Sequence, residues 1–222
     1  MALFERKHPV TALGDEALTS IKRELDSVLS IAASYDQMMS KTGNMTISLE
    51  GRIRGDLLAF MLYLSGITKG VRPEEIAVVN QIFDIDLSHV DFELFRKDVG
   101  NRSFEHAVPP SILILKELGN RLQHEQSVTQ DGLTASDVAK RSGVSNMAAA
   151  FSVDLINLYA LIGSAFLSAD GIMVQRESAD FIRYLYMMSR AVWGPDATLP
   201  EGAAQRVLEA HKRLFGKVPK IK

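Results

Sequence analysis

Apolar residues recur at steps of three and four along almost the whole chain, the period of a helix that turns one face to a core. Leu18, Ile21, Leu25, Val28, Leu29 and Ala32 form the first such stripe, and Lys22, Arg23, Glu24 and Asp26 fall largely off it. The pattern predicts a helix from about Asp15 to Ser40. Gly43 and Asn44 then mark a turn or loop over 41–48. A second helix is predicted from about Leu49 to Ile67, with Ile53, Leu57, Phe60, Met61 and Leu64 on its core face. Pro73 suits the first position of a third helix, where a missing N–H costs nothing. Glu74 and Glu75 fall in that helix's first turn, at its positive end, and Ile76, Val79, Ile82 and Phe83 make its stripe.

The middle is less regular. Ser88 can cap a short helix containing Val90, Phe92, Leu94 and Phe95. Pro109 and Pro110 introduce a helix over Ser111–Gln126, through Ile112, Leu115, Leu118 and Leu122. Residues 127–134 contain Asp131-Gly132 and read as a loop between two halves. A short helix is expected over Ser136–Arg141, then a long one ending near Ser168, then one from about Val174 to Val192 that Gly194-Pro195 stops. Pro200-Glu201 starts a last helix ending near Gly216, and Lys217–Lys222 reads as a basic frayed tail. No segment sustains strand alternation. The expected core includes Leu57, Phe60, Met61, Val79, Ile82, Leu155, Leu158, Phe166, Phe181 and Leu185.

Composition narrows the function classes. The 222 residues are 46% hydrophobic and 23% charged, enough for a sizeable globular core. A net charge of −2 supplies no general attraction to nucleic acid or an anionic membrane. With no cysteine there is no disulfide, thiolate zinc site or Cys nucleophile, which suits a reducing cytosol. The first ten residues lack the apolar core of a signal peptide. Met147–Leu167 is the most apolar long stretch, but Ser152, Asp154, Asn157, Gly163 and Ser164 interrupt it, so a buried central helix is expected and not a membrane span.

Two segments share a plan. Leu167–Glu177 reads L-S-A-D-G-I-M-V-Q-R-E, and Leu64–Glu75 reads L-S-G-I-T-K-G-V-R-P-E-E. Superimposing Glu75 on Glu177 places Val71 on Met173 and Thr68 on Asp170. Each unit then has an apolar helix, a polar loop, an apolar plug and an acid opening the next helix. This suggests a duplicated helix–loop–helix. The string A-D-G-I-M-V-Q-R-E, preceded by F-L-S and followed by an amphipathic helix, resembles the signature of the TerB-like family, named for a tellurite-resistance protein and including a domain of a DnaJ-type co-chaperone. The resemblance covers about residues 49–193, with Leu167–Glu177 its specific part. It implies an all-α fold, a stress-related role and a divalent metal held by Asp170 and Glu177, with Glu75 as a further ligand. Thr68-Lys69 stands where the first unit would carry Asp-Gly, which removes a carboxylate there.

Asp170, Gly171 and Glu177 also have the spacing of the inner Asp, the Gly and the last Glu of a calcium EF-hand loop. However, Phe166 and Ser168 occupy its earlier ligand positions, and Phe cannot ligate calcium. The bland alternative makes Asp170-Gly171 a turn and Glu177 a helix-terminus charge. Residues 136–150, S-D-V-A-K-R-S-G-V-S-N-M-A-A-A, resemble the helix-turn-helix of LacI-type repressors. No Arg or Lys stands between Asn146 and Gln175 to grip phosphate, and a tight turn between packed helices explains the same residues. The five histidines, His8, His89, His106, His124 and His211, form no metal-binding pair.

The sequence therefore predicts an all-α bundle of about eight or nine helices. It has an N-terminal extension (1–48), a TerB-like domain (49–193) with an inserted element (about 84–146), and a C-terminal helix and tail (194–222). The expected function is that of a non-enzymatic cytoplasmic module that binds a protein partner and a divalent cation. The alternative is a DNA-binding regulator using 135–150.

Overall fold

A computed structural model describes residues 13–40, 48–67, 71–100, 108–114, 116–117, 147–169, 172–173, 175–193 and 220–221. Among them the chain is helical, apart from one pair of two-residue strands. The expected loop at 127–134, the short helix at Ser136–Arg141 and the helix near 200–216 lie outside the described residues.

Helix α1 spans Asp15–Ser40 and α2 spans Leu49–Ile67, at the bounds their stripes predict. Ile21, Leu25, Val28 and Ala32 of α1 are buried, as are Ile53, Leu57, Phe60, Met61 and Leu64 of α2. The start of α2 is secured twice. Ser48 Oγ accepts the Gly51 N–H, while Asp36 on α1 accepts the N–H groups of Leu49 and Glu50. These are donors that the helix itself cannot satisfy.

Helix α3 (Pro73–Phe83) begins with Pro73 in its first turn and ends at Asp84, whose φ of 52° is left-handed. Aspartate is among the few non-glycine residues that tolerate this conformation. Asn80 braces the exit, donating from Nδ2 to the Leu87 carbonyl and accepting the Leu87 N–H at Oδ1. Lys22 reaches across from α1 to Asp84 at 2.6 Å, and Gln81 accepts the Leu13 N–H. Helix α4 (His89–Gly100) is capped as expected. Asp91 N–H donates to Ser88 Oγ, and the Ser88 N–H and hydroxyl donate back to the Asp91 carboxylate. These bonds hold the Asp91 pKa below the ordinary aspartate value.

Residues 110–114 and 116–117 are helical. Helix α5 (Met147–Leu167) packs against α1, α2, α3 and α6 (Gln175–Trp193). From Leu155 to Leu167 it is buried nearly all round, the signature of a core helix. No helix among the described residues is long and apolar enough to cross a membrane. Gly163 sits near the C-terminal end of α5, under the Phe181 ring of α6. A methyl group there would come 2.5 Å from Phe181 Cε2 and 3.1 Å from Phe60 Cζ. This glycine, read in the sequence as an interruption of an apolar run, permits three elements to meet. All ten residues of the expected core are buried.

Two readings change. The tail Lys217–Lys222 is not wholly frayed, because Lys220–Ile221 (β2) pairs in parallel with Ile172–Met173 (β1), Ile172 opposite Lys220. Extended backbone finds hydrogen-bond partners there that its basic side chains do not advertise. The apolar run of α4 is also not one core stripe. Phe92 alone is buried, stacked on Phe166 at 6.4 Å, while Val90, Leu94 and Phe95 are 67%, 60% and 51% exposed. At 100° per residue, Phe92 points away from Val90 and Leu94.

Candidate functional site

Of the three acids expected to hold a metal, Glu75 is the one whose side chain is described. It stands in the first turn of α3, is 1% exposed, and its Oε2 accepts the Arg72 N–H at 2.8 Å. This is the return half of a capping box. The carboxylate therefore works on its own helix terminus, and the plug one turn before it, Val71, is buried as expected. Asp170 lies outside the described residues. Glu177 falls in the first turn of α6, with its side chain outside the description. Among the described residues no group of three or more His, Asp or Glu side chains gathers as a metal site would require. The helix-turn-helix-like segment lies outside the description as far as Asn146. From Met147 its supposed recognition helix is the first turn of α5, continuous with the core-spanning part.

The described residues do converge on a different acid. Asp56 lies on α2, one turn before Phe60, at the edge of the core face. Its Oδ2 accepts the Ser111 N–H at 3.0 Å. Pro109 and Pro110 carry no N–H, so Ser111 is the first donor of the helical segment that begins there, and a carboxylate from another helix meets it. Around this contact stand Tyr159 of α5, fully buried, and Tyr184 of α6, 2% exposed. Their rings are ordered by Phe60, which meets Tyr159 edge-on at 4.9 Å and stacks on Tyr184 at 5.2 Å, while Tyr63 lies 5.2 Å from Tyr184.

The electrostatics of the cluster follow from burial. Desolvation raises the Asp56 pKa, and it outweighs the Ser111 hydrogen bonding and the Arg52 charge, which act in the opposite sense. The Tyr159 and Tyr184 phenols are pushed well up, first by burial and then by the nearby Asp56 charge. The Ser111 hydroxyl is close enough to Asp56 and Tyr159 to favour their ionised forms. Yet Ser111 Oγ, Tyr159 Oη and Tyr184 Oη are buried without a protein hydrogen bond of ordinary geometry. Sequence reading passed over this cluster. The available signal was an acid four residues before Phe60 on an otherwise apolar face, together with a Pro-Pro helix start needing an acceptor.

A second surface is the outer side of α4, where Val90, Leu94 and Phe95 face solvent between exposed Asp91 and Lys97. On α6, Arg183 pairs with Asp180, and Arg190 lies over the Tyr186 ring at 5.3 Å. Phe181, expected in the core, and Tyr184 are both buried. No protein-family model matches this chain, and no curated protein or solved structure matches it either.

Proposed function

We propose that this chain is a non-enzymatic helical module that binds a partner protein through α4. The observation behind this reading is the exposure of Val90 and Leu94 on the side of α4 opposite Phe92, with exposed Phe95 on the flank between them. Large apolar side chains at i, i+4 and i+5 form the kind of ridge that an amphipathic partner helix covers. Asp91 and Lys97 give the rim both signs of charge, so the partner's stripe should be flanked by both as well. The test is a photo-crosslinker at position 94, followed by titration of the purified crosslinked protein. A saturable complex that Leu94→Ser and Phe95→Ser weaken at least tenfold, with helicity unchanged, supports the reading. Equal affinity for wild type and variants, or sedimentation showing only a second copy of this chain on α4, overturns it.

The TerB-like resemblance supports a second element of the proposal, a divalent cation at the loop joining α5 to α6. Asp170 and Glu177 would supply carboxylates, with backbone and water completing the shell. The hydrogen bond from Arg72 to Glu75 favours a capping role for Glu75, which leaves the other two acids as the ligands to test. The tellurite-type stress role and the cytoplasmic setting rest on that same resemblance. Millimolar calcium, magnesium, manganese or zinc should raise the melting temperature, and Asp170→Asn or Glu177→Gln should abolish the rise. An unchanged wild-type melting temperature with all four ions ends the metal reading.

A further inference from the structure

The Asp56 cluster is used by neither proposed surface, and its composition restricts what it can hold. Three buried hydroxyls, on Ser111, Tyr159 and Tyr184, come from three separate elements; Ser111 lies near Asp56 and Tyr159, yet none of the three makes a protein hydrogen bond of ordinary geometry. A hydroxyl sealed in a core without a partner is rare in folded proteins, and three around one carboxylate are rarer. A bound anion is disfavoured by the Asp56 charge. A cation is disfavoured by the Ser111 N–H, the first donor of a helix terminus, which already points at that carboxylate. The rings pack at 4.9–5.2 Å from one another, which excludes an organic guest between them. What remains is a small, neutral molecule that both donates and accepts hydrogen bonds.

We propose that Asp56, Ser111, Tyr159 and Tyr184 form an interior water site, in which ordered water links the three hydroxyls to the Asp56 carboxylate and so fastens the 110–117 segment to α2, α5 and α6. Such a water makes about three hydrogen bonds to otherwise unsatisfied groups and is retained as part of the fold. It gives Tyr159 and Tyr184 an acceptor for their protons, and it gives Asp56 a donor besides the Ser111 N–H.

The test compares Tyr159→Phe, Tyr184→Phe and Ser111→Ala with wild type by thermal melting, and counts long-lived internal water by deuterium and oxygen-17 relaxation dispersion. Each substitution removes a hydroxyl with almost no change of shape. The expected result is a lower melting temperature for Tyr159→Phe and a loss of dispersion amplitude equal to about one water. Tyr184→Phe serves as the second variant should Tyr159→Phe fold poorly. A raised melting temperature in the Phe variants would show the hydroxyls to be unpartnered, and would overturn the proposal. Destabilisation with unchanged dispersion would mean direct hydroxyl–carboxylate bonds, and would overturn it too.

Discussion

Asp36 Oδ1 accepts the N–H of Leu49 at 2.7 Å, so the last turns of α1 hold the first residue of α2. The contact joins two helices directly, side chain to backbone. Asp36→Ala should lower stability by about 0.5–2 kcal/mol, the usual loss when a helix N-terminal donor loses its acceptor. Ser48 still caps Gly51, so the low half of that range is expected, measured by urea denaturation. A change indistinguishable from zero would mean that water replaces the carboxylate.

Glu75 tests capping against ligation. Glu75→Gln keeps an acceptor for the Arg72 N–H and should alter stability by less than about 1 kcal/mol, because glutamine also serves in a capping box. Glu75→Ala should cost about 1–3 kcal/mol by leaving a partly buried donor unmet. If Glu75→Gln removed an ion-dependent rise in melting temperature, Glu75 would be a ligand after all.

Asp56 makes stability depend on pH in a defined sense. Its pKa in the folded chain is raised above the ordinary 3.8, chiefly by desolvation, so the folded state binds the proton more tightly than the unfolded state. The stabilising contribution is therefore fully present below 3.8 and is lost as pH rises through the folded value. The groups acting on it are Ser111 on the facing segment and Arg52 on α2, both favouring the ionised form, while the phenols of Tyr159 on α5 and Tyr184 on α6 stay neutral throughout this range. Asp56→Asn, neutral at every pH, should match wild type near pH 3 and equal or exceed it at pH 7 in melting temperature. A variant clearly less stable than wild type at pH 7 would contradict this sign.

Gly163→Ala should destabilise by about 1–3 kcal/mol, since the added methyl drives the Phe181 ring off its rotamer. The better helix propensity of alanine, about 1 kcal/mol, offsets part of this. Pairing it with Phe181→Leu should recover part of the loss beyond the sum of the single changes, as residues in contact do. Strict additivity in a double-mutant cycle would deny the contact.

DNA offers the remaining check. Binding by the 135–150 segment would weaken steeply with salt, yet no Arg or Lys stands between Asn146 and Gln175, so α5, which continues from it, carries no cation. A fluorescence anisotropy titration against duplex DNA should show no sequence-selective complex at physiological salt.

Much of the fold was legible because its signals are periodic. The stripes over α1 and α2 gave their bounds, and Ser88, Pro73 and the acids beside them marked helix starts. Val90, Leu94 and Phe95 were not separable from Phe92 by hydrophobicity alone; helix phase divides Val90 and Leu94 from it, whereas Phe95, about 60° from Phe92, is set apart only by what α4 packs against. The Asp56 cluster was hidden for a different reason. Its members are far apart in sequence, and a lone Ser or Tyr on an apolar face looks like ordinary core until three meet. The strand pair was invisible because two residues are too few to show alternation.

Phe92 and Phe166 lie with their rings only 16° from parallel, one beneath the exposed side of α4 and the other near the end of α5, just before Asp170. That stack gives the proposed partner surface and the proposed ion loop a common mechanical element. Because α4 otherwise rests mainly on α2, an ion that moved the end of α5 on binding at Asp170 and Glu177 would act on α4, and on its affinity for a partner, through this ring pair. Thermodynamic reciprocity then requires the partner to alter ion affinity by the same factor. The chain would in that case behave as a two-input device, in which Phe92 is the residue that makes one input sensitive to the other.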